Sequence, residues 1–126
     1  MAYHEIKSLK DVPTFLLKTN SLHDGYIISA SYQHQGYTWG NPLRINPEKS
    51  KLVLNIVITS ISNAQVELVF EGIKDLQIKE IDYELLDSSI SFSDEFIVWC
   101  GDSSTDTNRL HDSNYVISKR MKWRII

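Results

Sequence analysis

The apolar positions of the chain recur at a spacing of two over most of its length. From Lys51 onward, Leu52, Leu54, Ile56 and Ile58 share one parity and Val53, Asn55, Val57 and Thr59 the other. That spacing places them on opposite faces of a strand, and apolar side chains on both faces predict a central strand covered on at least one side. After a turn over 60–64, Val66, Leu68 and Phe70 alternate with Gln65, Glu67, Val69 and Glu71, which predicts a half-buried antiparallel partner. Gly72 interrupts this strand as a bulge or turn would. Shorter alternations around Leu76 and Ile78, Ile90 and Phe92, and Phe96, Val98 and Cys100 predict three more strands. At the end of the chain Tyr115, Ile117, Met121, Trp123 and Ile125 oppose Ser118, Arg120, Lys122 and Arg124. Only Lys119 breaks step, and a bulge there removes the exception.

The N-terminal third reads differently. Asp11 followed by Val12-Pro13 predicts a short helix to Lys18, with Asp11 as N-cap and Pro13 in the first turn, where its missing N–H costs nothing. His23-Asp24-Gly25 forms a turn into a β-rich first strand over Tyr26–Gln33. Residues 35–42, with two Gly and a Pro, read as a long loop carrying aromatic side chains. Residues 81–87 read as a turn, although Ile81, Leu85 and Leu86 stand at helical spacing, and 101–113 as a polar loop. No segment is long enough to make helical crossovers between parallel strands. The expectation is a mainly β single domain over 1–126, an antiparallel β-sandwich or meander of six to seven strands with one short N-terminal helix.

Composition strengthens this picture. The 126 residues include 15 Ile, 7 Val and 6 Thr against 3 Ala, a bias toward β-branched side chains that pack well on pleated surfaces. A chain of this size with 42% hydrophobic residues buries roughly two-thirds of its surface on folding, which excludes intrinsic disorder and a disulfide scaffold. Cys100 is the one cysteine, so no intramolecular disulfide forms and a reducing compartment is expected. No apolar stretch follows Met1, and none approaches about 18 residues, so the expected location is cytoplasmic, with no membrane partner.

The net charge of −3 conceals a segregation. Residues 67–112 hold 12 of the 16 acidic side chains against Lys74, Lys79 and Arg109 alone, while residues 113–126 carry Lys119, Arg120, Lys122 and Arg124 without an acid. An acidic middle disfavours nucleic acid and suits a basic protein partner, met by Glu67, Glu71, Asp75, Glu80, Asp82 and Glu84. The competing arrangement lays the basic last strand beside an acidic one and cancels the field, with Glu67 and Glu71 against Arg120, Lys122 or Arg124. A second binding surface is offered by Tyr32, Tyr37 and Trp39 around the Gly-containing loop, since such side chains anchor interfaces. They could equally fold over the open end of the sandwich. A small-molecule module with its ligand near Tyr37 and Trp39 is a further reading, whereas Trp99 and Trp123 belong to strand faces and core.

Catalytic candidates are few. His23-Asp24 and His111-Asp112 both fall in predicted turns, and their imidazoles and carboxylates could together hold the metal of a hydrolase. Adjacent residues diverge unless a turn brings them together, so Asp24 and Asp112 also read simply as turn-stabilising side chains. Cys100 lies near Glu95 and Asp102, which disfavour a thiolate, and reads as core. The chain has no Gly-x-Ser-x-Gly elbow, phosphate loop or dinucleotide fingerprint. A non-enzymatic protein without cofactor or metal is expected, and nothing in the pattern sets its oligomeric state.

Leu22-His23-Asp24-Gly25-Tyr26-Ile27 at a strand opening, Val69-Phe70-Glu71-Gly72-Ile73 with Leu76, Ile97-Val98-Trp99 and the closing Lys122-Trp123-Arg124 resemble small bacterial β-rich families of uncharacterised function. Relatives with a similar Leu-His-Asp opening resemble immunity proteins of polymorphic toxin systems. The resemblance implies a cytoplasmic inhibitor that binds a toxin domain and performs no chemistry of its own. It transfers no individual site residue.

Overall fold

The computed structural model describes residues 2–59, 64–78, 85, 87–101 and 114–126. In chain order these form β1 (His4–Ile6), α1 (Val12–Lys18), β2 (Gly25–His34), β3 (Tyr37–Thr38), β4 (Arg44–Ile45), β5 (Ser50–Ile58), β6 (Ala64–Gln77), β7 (Ser89–Ser93), β8 (Phe96–Cys100) and β9 (Tyr115–Ile125). Seven strands join one antiparallel sheet in the order β2-β5-β6-β9-β8-β7, with β1 added to β9, and β3 and β4 make a separate two-stranded ribbon. The mainly β, antiparallel architecture and the short N-terminal helix are those the pattern predicts. No helix among the described residues is long and apolar enough to cross a membrane.

The predicted pairing of 52–58 with 64–71 is present with Leu52 opposite Phe70, Leu54 opposite Leu68 and Ile56 opposite Val66. These six side chains lie on the buried face, where Phe15 of α1, Trp99, Val116, Met121 and Trp123 complete the core. Phe15 meets the Trp123 ring edge-on at 5.5 Å, and Phe70 lies 5.8 Å from Trp99, spacings that favour aromatic pairs beyond their area alone. Cys100 is buried, as expected of a core thiol.

Three local expectations change. Gly72 does not end its strand: β6 runs 14 residues from Ala64 through Gly72 to Gln77, because Gly72 takes φ 68 within the ladder and the register shift falls later, between Ile73 and Asp75. In β9 the fully buried positions are Val116 and Ser118 at one end but Met121 and Trp123 at the other. The inward parity therefore switches across Lys119 and Arg120, and Val116, not Ile117, is the core residue of the first half. Asp11 precedes α1 but makes no side-chain cap to it. Its carboxylate accepts instead from the backbone N–H groups of Lys7 and Ser8, while Ser8 Oγ accepts from Lys10 N–H, closing a capping box on the preceding 3-10 turn. These bonds hold the Asp11 carboxyl below the usual carboxylate range.

Between α1 and β2, Asn20, Ser21 and Leu22 all hold φ between 52 and 56. A left-handed non-Gly residue costs about 1–2 kcal/mol, and burying a Leu side chain returns about 1.5–3 kcal/mol, so the fully buried Leu22 offsets its own strain. Of the expected turn at 81–87, Leu85 and Asp87 are described; Leu85 is buried and forms a β-bridge to Gly25. The expected loop at 101–113 lies outside the described residues apart from Gly101, and the expected turn at 60–64 apart from Ala64, the first residue of β6.

Candidate functional site

The acidic candidates are placed by the β6–β9 ladder. Glu67 stands opposite Arg124, and Arg124 Nη2 approaches Glu67 Oε2 to 3.3 Å, with the Glu67 side chain only 12% exposed and that of Arg124 30%. Tyr3 lies over this pair: its hydroxyl donates to Glu67 Oε1, and its ring sits 4.5 Å from the Arg124 guanidinium carbon and 4.6 Å from Lys122 Nζ. The Glu67 carboxylate stabilises the neutral phenol and raises its pKa. Glu71 pairs with Lys122 at 3.8 Å. Asp75 accepts a 2.8 Å hydrogen bond from the Tyr115 hydroxyl, which raises the Tyr115 pKa. Glu67 and Glu71 thus meet the basic last strand in the cancelling arrangement, because β9 lies inside the sheet and not at its rim. Glu80, Asp82 and Glu84 lie outside the described residues.

Of the two His-Asp dipeptides, His111-Asp112 lies outside the described residues. At the other, His23 Nε2 is 3.7 Å from Asp24 Oδ1 and His23 Nδ1 is 3.6 Å from Asp87 Oδ1. Asp24 takes φ 59; its N–H donates to Leu85 O, and its carbonyl accepts from the Thr59 N–H and hydroxyl. This backbone role fits the turn-forming reading of the dipeptide. No group of three or more His, Cys, Asp or Glu among the described residues is arranged to hold a metal ion.

Two clefts flank Lys119. β1 and β8 pair with the same side of β9 at its opposite ends, β1 with Met121–Trp123 and β8 with Tyr115–Ser118, and a cleft of about 400 Å³ lies between them. The second, of about 540 Å³, is lined by Glu48, Gly72, Lys74 and Lys119 among others. Their charges engage one another: Lys119 binds Glu48 and lies 4.0 Å from Glu95. The Lys119 ammonium lowers the Glu48 pKa, and Glu48 in turn raises that of Lys119. Neither cleft is lined by Tyr37 or Trp39.

Tyr37 and Trp39 lie on the β3–β4 ribbon that replaces the expected loop. Tyr37 pairs with Ile45 and meets the Trp39 ring edge-on at 5.6 Å. Gly36 seats the ribbon against the turn before β5: Asn46 N–H donates to the Gly36 carbonyl, and a Cβ on Gly36 would come within 2.5 Å of Asn46 O and Lys49 Cβ. Trp39 is 79% exposed, so these rings point to solvent and do not cap the core. Among the described residues, seven of the eleven exposed large apolar side chains fall between positions 26 and 45: Tyr26, Ile28, Tyr32, Tyr37, Trp39, Leu43 and Ile45. Three of them belong to β2, whose expected strand is present but lies at the rim of the sheet, which the alternation did not reveal. The available signal was Gly25–Leu43, a run without a single Asp, Glu, Lys or Arg.

No protein-family model, no curated protein and no solved structure matches the chain.

Proposed function

We propose that this chain is a non-enzymatic binding protein that takes a protein partner on its β3–β4 ribbon, with Trp39 and Tyr37 as anchors. Following the resemblance of its strand-opening motifs, we place it as an immunity-type inhibitor of a bacterial toxin domain. The observation that carries the binding reading is the exposed, edge-stacked Tyr37–Trp39 pair within a concentration of exposed apolar side chains. A soluble domain gains nothing in its own stability from holding such rings in water, while a partner that covers them gains large contact area at little rotamer cost. Because the described acids Glu67, Glu71 and Asp75 are engaged inside the molecule, the ribbon is the anchor, and the acidic 67–112 segment contributes long-range steering of a basic partner.

The test is calorimetric titration of the full chain with the toxin domain encoded beside its gene, over a range of salt concentrations. Binding is expected to weaken as salt rises, and Trp39→Ala is expected to cost about 2 kcal/mol of binding free energy or more with an unchanged melting temperature. Absence of binding at low ionic strength overturns the inhibitor reading. Undiminished binding by Trp39→Ala and Tyr37→Ala overturns the ribbon as its anchor.

A further inference from the structure

We infer that the cleft between β1 and β8 is a binding site for a short zwitterion with an apolar body, of the size and chemistry of an apolar dipeptide. The β1 strand, the β7–β8 hairpin and β9, which wall it, are described throughout. On this side of β9 the ladder to β8 ends with Ile97 opposite Ser118, and the ladder to β1 begins with Ile6 opposite Met121. Lys119 and Arg120, between them, have no strand beside them there, which leaves a gap two residues long. Side chains alternate between the faces of a strand, so the gap has two levels. At its base lie Ile6, Ile97 and Met121, all buried, with half-buried Phe92, and its rim is charged. Its volume, about 400 Å³, belongs to the small end of ligand clefts.

Most of the rim is neutralised from within. Lys7 lies 3.1 Å from Glu5 and Lys122 3.8 Å from Glu71, and Lys119 is shared between Glu48 and Glu95. Two opposite charges remain. The exposed Asp94 carboxylate, in the β7–β8 turn, has neither a hydrogen bond nor an ion pair. The exposed Arg120 guanidinium donates from Nη2 to the Glu48 carbonyl at 3.3 Å and pairs with no carboxylate among the described residues. A ligand with an ammonium and a carboxylate answers both through charge-assisted hydrogen bonds, about twice as strong as neutral ones, whereas a ligand of one sign leaves one of them unmet. Its apolar body covers the base. A peptide unit suits the gap because each residue brings one main-chain donor and one acceptor to the place a strand would take. The site is separate from the β3–β4 ribbon, whose Tyr37 and Trp39 do not line it, and does not rest on the inhibitor reading.

Nuclear magnetic resonance titration of the full chain with leucyl-leucine tests this. Saturable binding is expected, with shifts centred on β1, the β7–β8 turn and residues 119–122. The N-acetyl and C-amide derivatives of the dipeptide are expected to bind about tenfold more weakly or worse. Asp94→Asn is expected to erase the preference for the free amine, and its left-handed φ of 54 is one that Asn adopts readily. Arg120→Gln is expected to erase the preference for the free carboxylate. A substitution that only distorted the cleft would weaken all the ligands alike, and that result overturns the proposal. So do equal binding of the three ligands by the parent chain, shifts centred on Trp39, and the absence of saturation by roughly 10 mM dipeptide.

Discussion

Tyr115 shows how one hydroxyl ties two strands. It opposes Gln77 in the β6–β9 register, and its oxygen reaches diagonally to Asp75, two residues back along β6 and just past the bulge that separates Ile73 from Asp75. The carboxylate acceptor favours the neutral phenol, so the Tyr115 pKa is raised above its ordinary value in the folded chain. The unfolded chain then loses its phenolic proton first. The stabilisation is complete below the unfolded pKa and is lost as pH rises through the folded one. Urea unfolding between pH 9 and pH 11 is therefore expected to show a steeper loss of stability in the parent than in Tyr115→Phe, which lacks this linkage. Equal slopes would dissociate the bond from alkaline stability. Little at this scale was legible from composition: Tyr115 and Asp75 lie 40 residues apart, and only the register brings them together.

At the scale of the element, alternation carried the β5–β6 pair almost intact, because both strands bury one face and a slip by one residue would turn every Leu and Ile outward. It failed where backbone conformation took over. Gly72 reads as an interruption, whereas its positive φ lets the ladder run on beside Lys119. A Cβ at this position would come 3.1 Å from Lys119 Cβ in a conformation that L residues avoid. Gly72→Ala is accordingly expected to cost about 1 kcal/mol or more, read as a lower urea midpoint at unchanged slope. An unaffected midpoint would show that β6 relaxes freely there. Local bonding equally redirected Asp11, whose carboxylate finds the N–H groups of Lys7 and Ser8 before it can serve α1. The ribbon was invisible as structure, since two-residue strands carry no periodicity.

For the whole molecule, the two kinds of tryptophan separate folding from binding. Trp99 is 0% exposed, donates from Nε1 to Ser88 Oγ at 3.2 Å and packs near Phe70. Trp99→Ala is expected to remove about 3–5 kcal/mol of a total on the order of 5–15 kcal/mol, detectable as a large fall in the denaturation midpoint. Trp39→Ala should alter stability by no more than about 0.5 kcal/mol. A fall of similar size in both variants would make the ribbon part of the core.

By itself the sequence determined the class of fold, the β5–β6 pairing, the burial of Trp99, Trp123 and Cys100, and the candidacy of Tyr37 and Trp39. Periodicity and side-chain chemistry are local properties that any arrangement of these strands must respect. Strand order was decided by tertiary structure alone. It placed the basic β9 inside the sheet beside Glu67 and Glu71, and so turned a segregated charge pattern into cross-strand pairs. It also left the uncharged β2 at the rim. Whether a charge is neutralised depends on which strand lies next to it, and that neighbour is chosen by how the whole chain closes its core.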